Sequence, residues 1–179
     1  MRLRALLDSP GAFGSTYERE LAFTQQFWRE RVGDPETVSV LAWQDDEPVG
    51  TGGGFQDLPG HLHVVAMWVA PHARGYGVAH LVLDALSSWA EGRGLLLHLD
   101  VENANEPARR LYEAYGFRAT GTTSPLREGV AEVTERMVLP AGRDASAPYR
   151  PQDATPQRKA GMPVTAAPTL SRCISSVPS

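Results

Sequence analysis

The residues most able to do chemistry lie in one run, Arg74-Gly75-Tyr76-Gly77-Val78-Ala79, which follows an apolar segment and leads into a helical pattern. Gly75, Gly77 and Ala79 keep side chains small, so the backbone there can close around an anion. The first N–H groups of a helix have no partners within it, and the aligned peptide dipoles add partial positive charge. Arg74 contributes a full positive charge and planar donors suited to phosphate oxygens. Together these features describe a cradle for a pyrophosphate. A glycine-rich turn that merely redirects the chain would need the same glycines.

Two common phosphate loops do not fit. A P-loop requires Gly-Lys-Ser/Thr, and the only lysine is Lys159, far downstream. A dinucleotide fingerprint needs glycine where His80 stands. No cysteine is available for a nucleophile or a zinc site near this loop, since the single one is Cys173.

The elements around the loop set its position. Apolar spacing predicts a helix over Glu18 to Arg31, with Ser15 or Thr16 as its cap. Strands are expected at Val38 to Trp43 and Val49 to Phe55, joined by a polar hairpin, and Gln56 to Gly60 reads as a loop. Gly50, Gly52, Gly53 and Gly54 inside the second strand imply a bulge or a close approach by another element. Leu62 to Val69 reads as a central strand, Tyr76 to Glu91 as an amphipathic helix, and Leu95 to Val101 as a buried strand. A short helix follows from Glu106 to Tyr115, with Asn105 at its cap and Pro107 in its first turn. Strands at Phe117 to Thr122 and Glu132 to Leu139 complete an α/β (α+β layered) domain with a mixed, mostly antiparallel sheet flanked by helices.

The chain has 179 residues and a net charge of −4. Residues 141–179 carry +3 and six of the fourteen prolines, which leaves −7 on residues 1–140. The expected organisation is one folded domain, 1–140, and a disordered Pro/Ala/Ser-rich tail, 141–179. An acidic domain argues against a general nucleic-acid partner. No apolar run reaches membrane-spanning length and the start lacks a signal-peptide core, so a cytoplasmic protein with no membrane partner is the expectation.

A second segment, Asn105-x-x-Ala108-x-x-Leu111-Tyr112-Glu113-x-x-Gly116-Phe117, adds to the first. The Arg74-x-x-Gly77-x-Ala79 spacing and this pattern, in this order, resemble the GNAT superfamily of N-acetyltransferases. The resemblance covers roughly residues 5–139. It implies a GNAT-like acyl-CoA N-acyltransferase fold, with acetyl-CoA as co-substrate and no metal. It implies direct acetyl transfer to a primary amine of a small molecule or protein. By the same resemblance the backbone of Met67, Trp68 and Val69 would hydrogen-bond the pantetheine arm. Arg74, Gly75, Tyr76, Gly77, Val78 and Ala79 would hold the pyrophosphate, Asn105 would contact the cofactor, and Tyr112 would protonate the departing thiolate.

Other readings of these residues stay open. Tyr112 shares a helical face with Ala108, Leu111 and Tyr115, as a core tyrosine with a satisfied hydroxyl would. Asn105 can be a helix cap, a cofactor contact, or both. For the base that deprotonates the amine, His61 and His63 share one strand face, as do His98, Asp100 and Glu102 on the next. A base acting through water is the working expectation. An inactive acyl-CoA-binding or regulatory module is the alternative function, and the sequence leaves a homodimer open.

The family usually opens with a strand and a full first helix. Here only Arg2 to Leu7 precedes Asp8-Ser9-Pro10, so the expectation is either a true start further upstream or a domain lacking its first strand. Its loss would expose an edge of strand 38–43.

Overall fold

In the computed structural model, residues 1–141 are described. The proposed tail therefore lies, apart from Ala141, outside the described residues. Three short helices come first: α1 (Arg2–Asp8), α2 (Tyr17–Leu21) and α3 (Gln25–Gly33). Strands β1 (Thr37–Gln44), β2 (Glu47–Leu58) and β3 (His61–Val69) follow, then helix α4 (Val78–Glu91). The domain closes with β4 (Leu96–Glu102), α5 (Glu106–Tyr115), β5 (Arg118–Pro125) and β6 (Val133–Val138).

The six strands form one sheet in the order β1-β2-β3-β4-β6-β5. Among the described residues only β3 and β4 run parallel; every other neighbouring pair is antiparallel. The crossover between the parallel pair is α4, as parallel pairing requires. Helix α4 buries Val78, Val82, Leu83 and Leu86 against the sheet, and Leu62, Leu97, Leu99 and Met137 belong to the same core. Among the described residues β1 pairs with β2 alone, so its other edge carries no strand.

The sequence-based elements hold with three differences. The helix expected over Glu18 to Arg31 is two helices. Thr16 caps α2 through Arg19 N, and Thr24 caps α3 through Phe27 N. A threonine that hydrogen-bonds forward to the backbone favours starting a new helix over continuing the old one. Strand β2 runs to Leu58, through what the sequence suggested was a loop. Helix α4 starts at Val78 instead of Tyr76, because Gly77 caps it in the left-handed region (φ 81°).

The glycines of β2 answer to α4. A Cβ on Gly50 would lie 2.6 Å from Val78 Cγ1, and one on Gly52 would lie 2.6 Å from Val82 Cγ1. Bare backbone there lets the helix sit close to the sheet, which fixes where its N-terminus points.

Candidate functional site

The parallel ladder between β3 and β4 runs from His61↔Leu96 to Val64↔Leu99 and ends there. Yet β3 continues to Val69 and β4 to Glu102. Beyond Val64 the two strands part, so Val65 to Val69 present an edge toward β4 that no strand among the described residues pairs with. Their other edge stays paired with β2, at Thr51↔Trp68 and Gly50↔Val69.

A bulge starts the opening. Two residues of β3, Ala66 and Met67, stand against Gly52 alone, and Ala66 takes φ 58°. A left-handed alanine costs of order 1–2 kcal/mol. An extra residue bends the strand and increases its twist, which re-aims the backbone around Met67. Met67, Trp68 and Val69 thus lie along the open arm, with the indole of Trp68 buried behind them.

The arm leads into the glycine loop. A 3-10 turn at Pro71–Ala73 follows β3. Gly75 and Gly77 have φ values of 83° and 81°, and a Cβ on Gly75 would touch nothing within 4 Å. Gly75 is therefore required by its backbone angle and not by crowding. Helix α4 has neither a side-chain cap nor an acidic residue in its first turn. Its N-terminal amides and dipole face the loop without a protein carboxylate, the arrangement that suits an anion. Tyr76 is 68% exposed.

Arg74 is already engaged. Its Nε donates to Val69 O at 3.0 Å, and its guanidinium pairs with Asp8 of α1. The same Asp8 oxygen accepts from Trp68 Nε1 at 2.9 Å. Hydrogen bonds from Ser9 and Trp68, together with Arg74, outweigh partial burial and hold the Asp8 carboxyl below the usual range. Arg74 therefore fastens the loop to both the open arm and the first helix.

Asn105 caps α5, its side-chain oxygen accepting from Ala108 N at 3.2 Å. Tyr112, on the same helix, has a buried ring set edge-on to Phe117 at 5.8 Å. Its hydroxyl has no hydrogen-bond partner among the described residues. Burial pushes the phenol pKa up, so the group stays protonated through the ordinary pH range.

The base candidates are only partly brought together. His63 and His98, paired across β3 and β4, stack at 4.6 Å. His63 Nε2 lies 3.5 Å from Asp100 Oδ2, and Arg136 clamps Asp100 with two hydrogen bonds of 2.9 and 3.1 Å. His61 stands beside His98, with Nδ1 3.0 Å from Pro59 O. Glu102 takes no part. Burial lowers the pKa of both His63 and His98 despite the carboxylates nearby, so both are neutral imidazoles at neutral pH. Asp100 is raised by burial but lowered more by Arg136 and His63, and stays ionised.

Asp57 was missed by the sequence reading. One of its oxygens lies 3.3 Å from His63 Nδ1 and 3.1 Å from His98 Nε2. A register shift between Phe55 and Leu58 turns it toward them. The available signal was the alternation from Phe55 to Asp57, which extends the strand by one more pair of residues.

Residues 3–117 match the Acetyltransferase (GNAT) family. The chain belongs to this family. It is 30% identical over 96 residues to the acetyltransferase Atu2258 of Agrobacterium fabrum, covering 54% of this chain and 69% of that protein. It is 34% identical over 92 residues to streptothricin acetyltransferase of Escherichia coli, spanning 49% of this chain and only 51% of the relative. Among solved structures, nourseothricin acetyltransferase superposes with a TM-score of 0.55 at 30% identity, over 60% of this chain and 68% of that one. The GNAT fold, the expected acetyl-CoA-dependent transfer of an acetyl group to an amine, and acetyl-CoA as co-substrate are those of this GNAT enzyme.

Proposed function

We propose that the cleft between the parted ends of β3 and β4 holds the pantetheine arm of acetyl-CoA, with the diphosphate on amides 75–79. The observation that carries this is the ladder's end at Val64↔Leu99 while both strands continue. An edge of free peptide groups suits an amide-bearing arm, much as a strand edge suits a peptide. The line of the arm runs into the Gly75–Gly77 loop and the start of α4, which has no side-chain cap. Val65 to Val69 offer backbone N–H groups for the oxyanion formed when the amine attacks the acetyl carbon. Asn105 serves as both cap and cofactor contact.

Tyr112 gives its proton to the thiolate as the C–S bond breaks. Among the described residues its hydroxyl has no hydrogen-bond partner, and its phenol is kept protonated by burial. The attacking amine loses its proton to water, which passes it toward the polar face carrying His63 and Asp100.

The acceptor in this reading is a small, soluble, cationic amine. Two relatives are named for streptothricin and nourseothricin, and a charge of −7 on residues 1–140 draws cations toward the domain. The test is thiol release from acetyl-CoA against a panel of amine antibiotics, polyamines and peptides with free N-termini. Turnover confined to the peptides would overturn the small-molecule assignment. Absence of any heat on mixing with CoA would overturn the cleft assignment itself.

A further inference from the structure

On the sheet face away from α4, three strands converge on one group of donors. Asp57 comes from β2, His63 from β3 and His98 from β4. We propose that these three residues form a binding site for a divalent transition-metal ion of the zinc class.

The spacing fits the ion. Zinc bonds of about 2.0–2.1 Å in a tetrahedron put ligand atoms roughly 3.3–3.4 Å apart. The Asp57 oxygen lies 3.3 Å from His63 Nδ1 and 3.1 Å from His98 Nε2. All three donor atoms lie within 4.8 Å of one another. Two imidazoles and one carboxylate are a donor set that zinc takes readily, leaving a fourth position for water. The His63 and His98 rings stack at 25° to each other. Since an ion must lie in the plane of each ring, His63 tilts toward the Asp57 side when it binds.

The hydrogen bonding points the same way. His63 has a carboxylate oxygen at each nitrogen, Asp57 at Nδ1 and Asp100 at Nε2. A neutral imidazole has one N–H and one lone pair, so without a cation one nitrogen aims its lone pair at a carboxylate. An ion between Nδ1 and Asp57 removes that conflict and leaves Nε2–H to donate to Asp100. Arg136 fixes Asp100 from the far side. This carboxylate–histidine–metal order is how bound histidines are commonly oriented. The charges also suit a dication, because Asp57 and Asp100 outnumber Arg136.

Acetyl transfer in this family needs no metal. The ion would act on the scaffold, tying β2, β3 and β4 together at the closed end of the cleft. The site does not depend on the assignment of the cofactor arm.

The test uses tag-free full-length protein, stripped with a chelator and carrying Cys173→Ser to remove the one thiol. Calorimetry with zinc chloride should show one equivalent bound. Cobalt(II) should give the absorption of a tetrahedral nitrogen–oxygen site, and zinc should raise the melting temperature. Asp57→Asn, at a partly exposed position, should keep the circular dichroism spectrum and bind zinc at least about tenfold more weakly. Asp100→Asn should weaken binding about 10–100-fold. No uptake by the stripped protein, or equal uptake by Asp57→Asn, would overturn the proposal.

Discussion

Asp8 and Arg74, sixty-six positions apart, are joined in an ion pair that binds the first helix to the glycine loop. The same carboxylate holds Trp68 of the open arm. One side chain thus connects α1, β3 and the loop ahead of α4. The pair is half exposed on the Arg74 side, so its Coulomb energy alone is small. Its effect is geometric: Nε and Nη of Arg74 are held at two fixed points, Val69 O and Asp8.

Asp8→Ala should therefore weaken CoA binding by about three- to tenfold. It should also cost about 1–3 kcal/mol of stability, because Trp68 Nε1 is left without its acceptor. Arg74→Lys should not restore the wild-type affinity, since one ammonium cannot serve two acceptors in a fixed fork. CoA calorimetry and urea unfolding on the two variants check this. Affinity unchanged in Asp8→Ala would mean the loop stands without α1.

Gly52→Ala probes the seat of α4. The added carbon would lie 2.5 Å from Met67 Sδ and 2.6 Å from Val82 Cγ1. Met67 can swing aside, but Val82 is short, branched and wholly buried. The helix must lift, at roughly 1–3 kcal/mol, and its N-terminus moves with it. Loss of both melting temperature and CoA affinity is expected. Gly60→Ala, where the added carbon meets nothing, separates local backbone strain at a positive φ from displacement of α4.

Much of this is legible in the sequence alone. Gly75 and Gly77 announced the turn, Pro107 and Asn105 announced α5, and Gly50 to Gly54 announced a close neighbour. Periodicity could not show the break at Thr24, because Phe23, Phe27 and Trp28 satisfy a helical spacing while stacking on one another outside the main core. Nor could it show that Arg74 turns to Asp8, since an arginine beside a phosphate loop has the same sequence signature whichever partner it takes. Asp57 was hidden because Gln56 to Gly60 is polar and ends in Pro-Gly, a loop signature, although Asp57 keeps the face of Phe55 beside His63.

Tyr112→Phe separates chemistry from packing. The ring is buried and the hydroxyl has no partner among the described residues, so stability should change by less than about 1 kcal/mol. If the phenol protonates the thiolate, kcat should fall about 10²–10⁴-fold, with little change in KM for acetyl-CoA. Because burial raises the phenol pKa, the wild-type kcat should show no alkaline limb near the ordinary phenol value of about 10. Steady-state kinetics over that range decide it. A wild-type kcat in the Phe variant would leave Tyr112 a packing residue.

Acid should loosen the attachment of the first helix. Burial raises the pKa of Glu20, but hydrogen bonds from Arg2 and Ser15 lower it further, and Asp8 is lowered as well. The Arg2–Glu20 contact is bidentate, at 2.6 and 2.8 Å, with Glu20 only 3% exposed. For a carboxylate whose folded pKa lies below its unfolded one, the unfolded chain takes up protons first as pH falls. The stabilisation is then complete above the unfolded values of 4.5 and 3.8. It fades as pH drops from there through the folded values. Melting temperature should accordingly be flat on this account above about pH 5.5 and fall below pH 4.5. Glu20→Gln should flatten part of that fall while lowering the plateau at neutral pH, because Arg2 loses its counter-charge. Since Asp8 also anchors Arg74, CoA affinity of the folded protein should decline only at the low end of that range, below the ordinary Asp value of 3.8. An acid melting curve identical in Glu20→Gln and wild type would show that other carboxylates govern the transition.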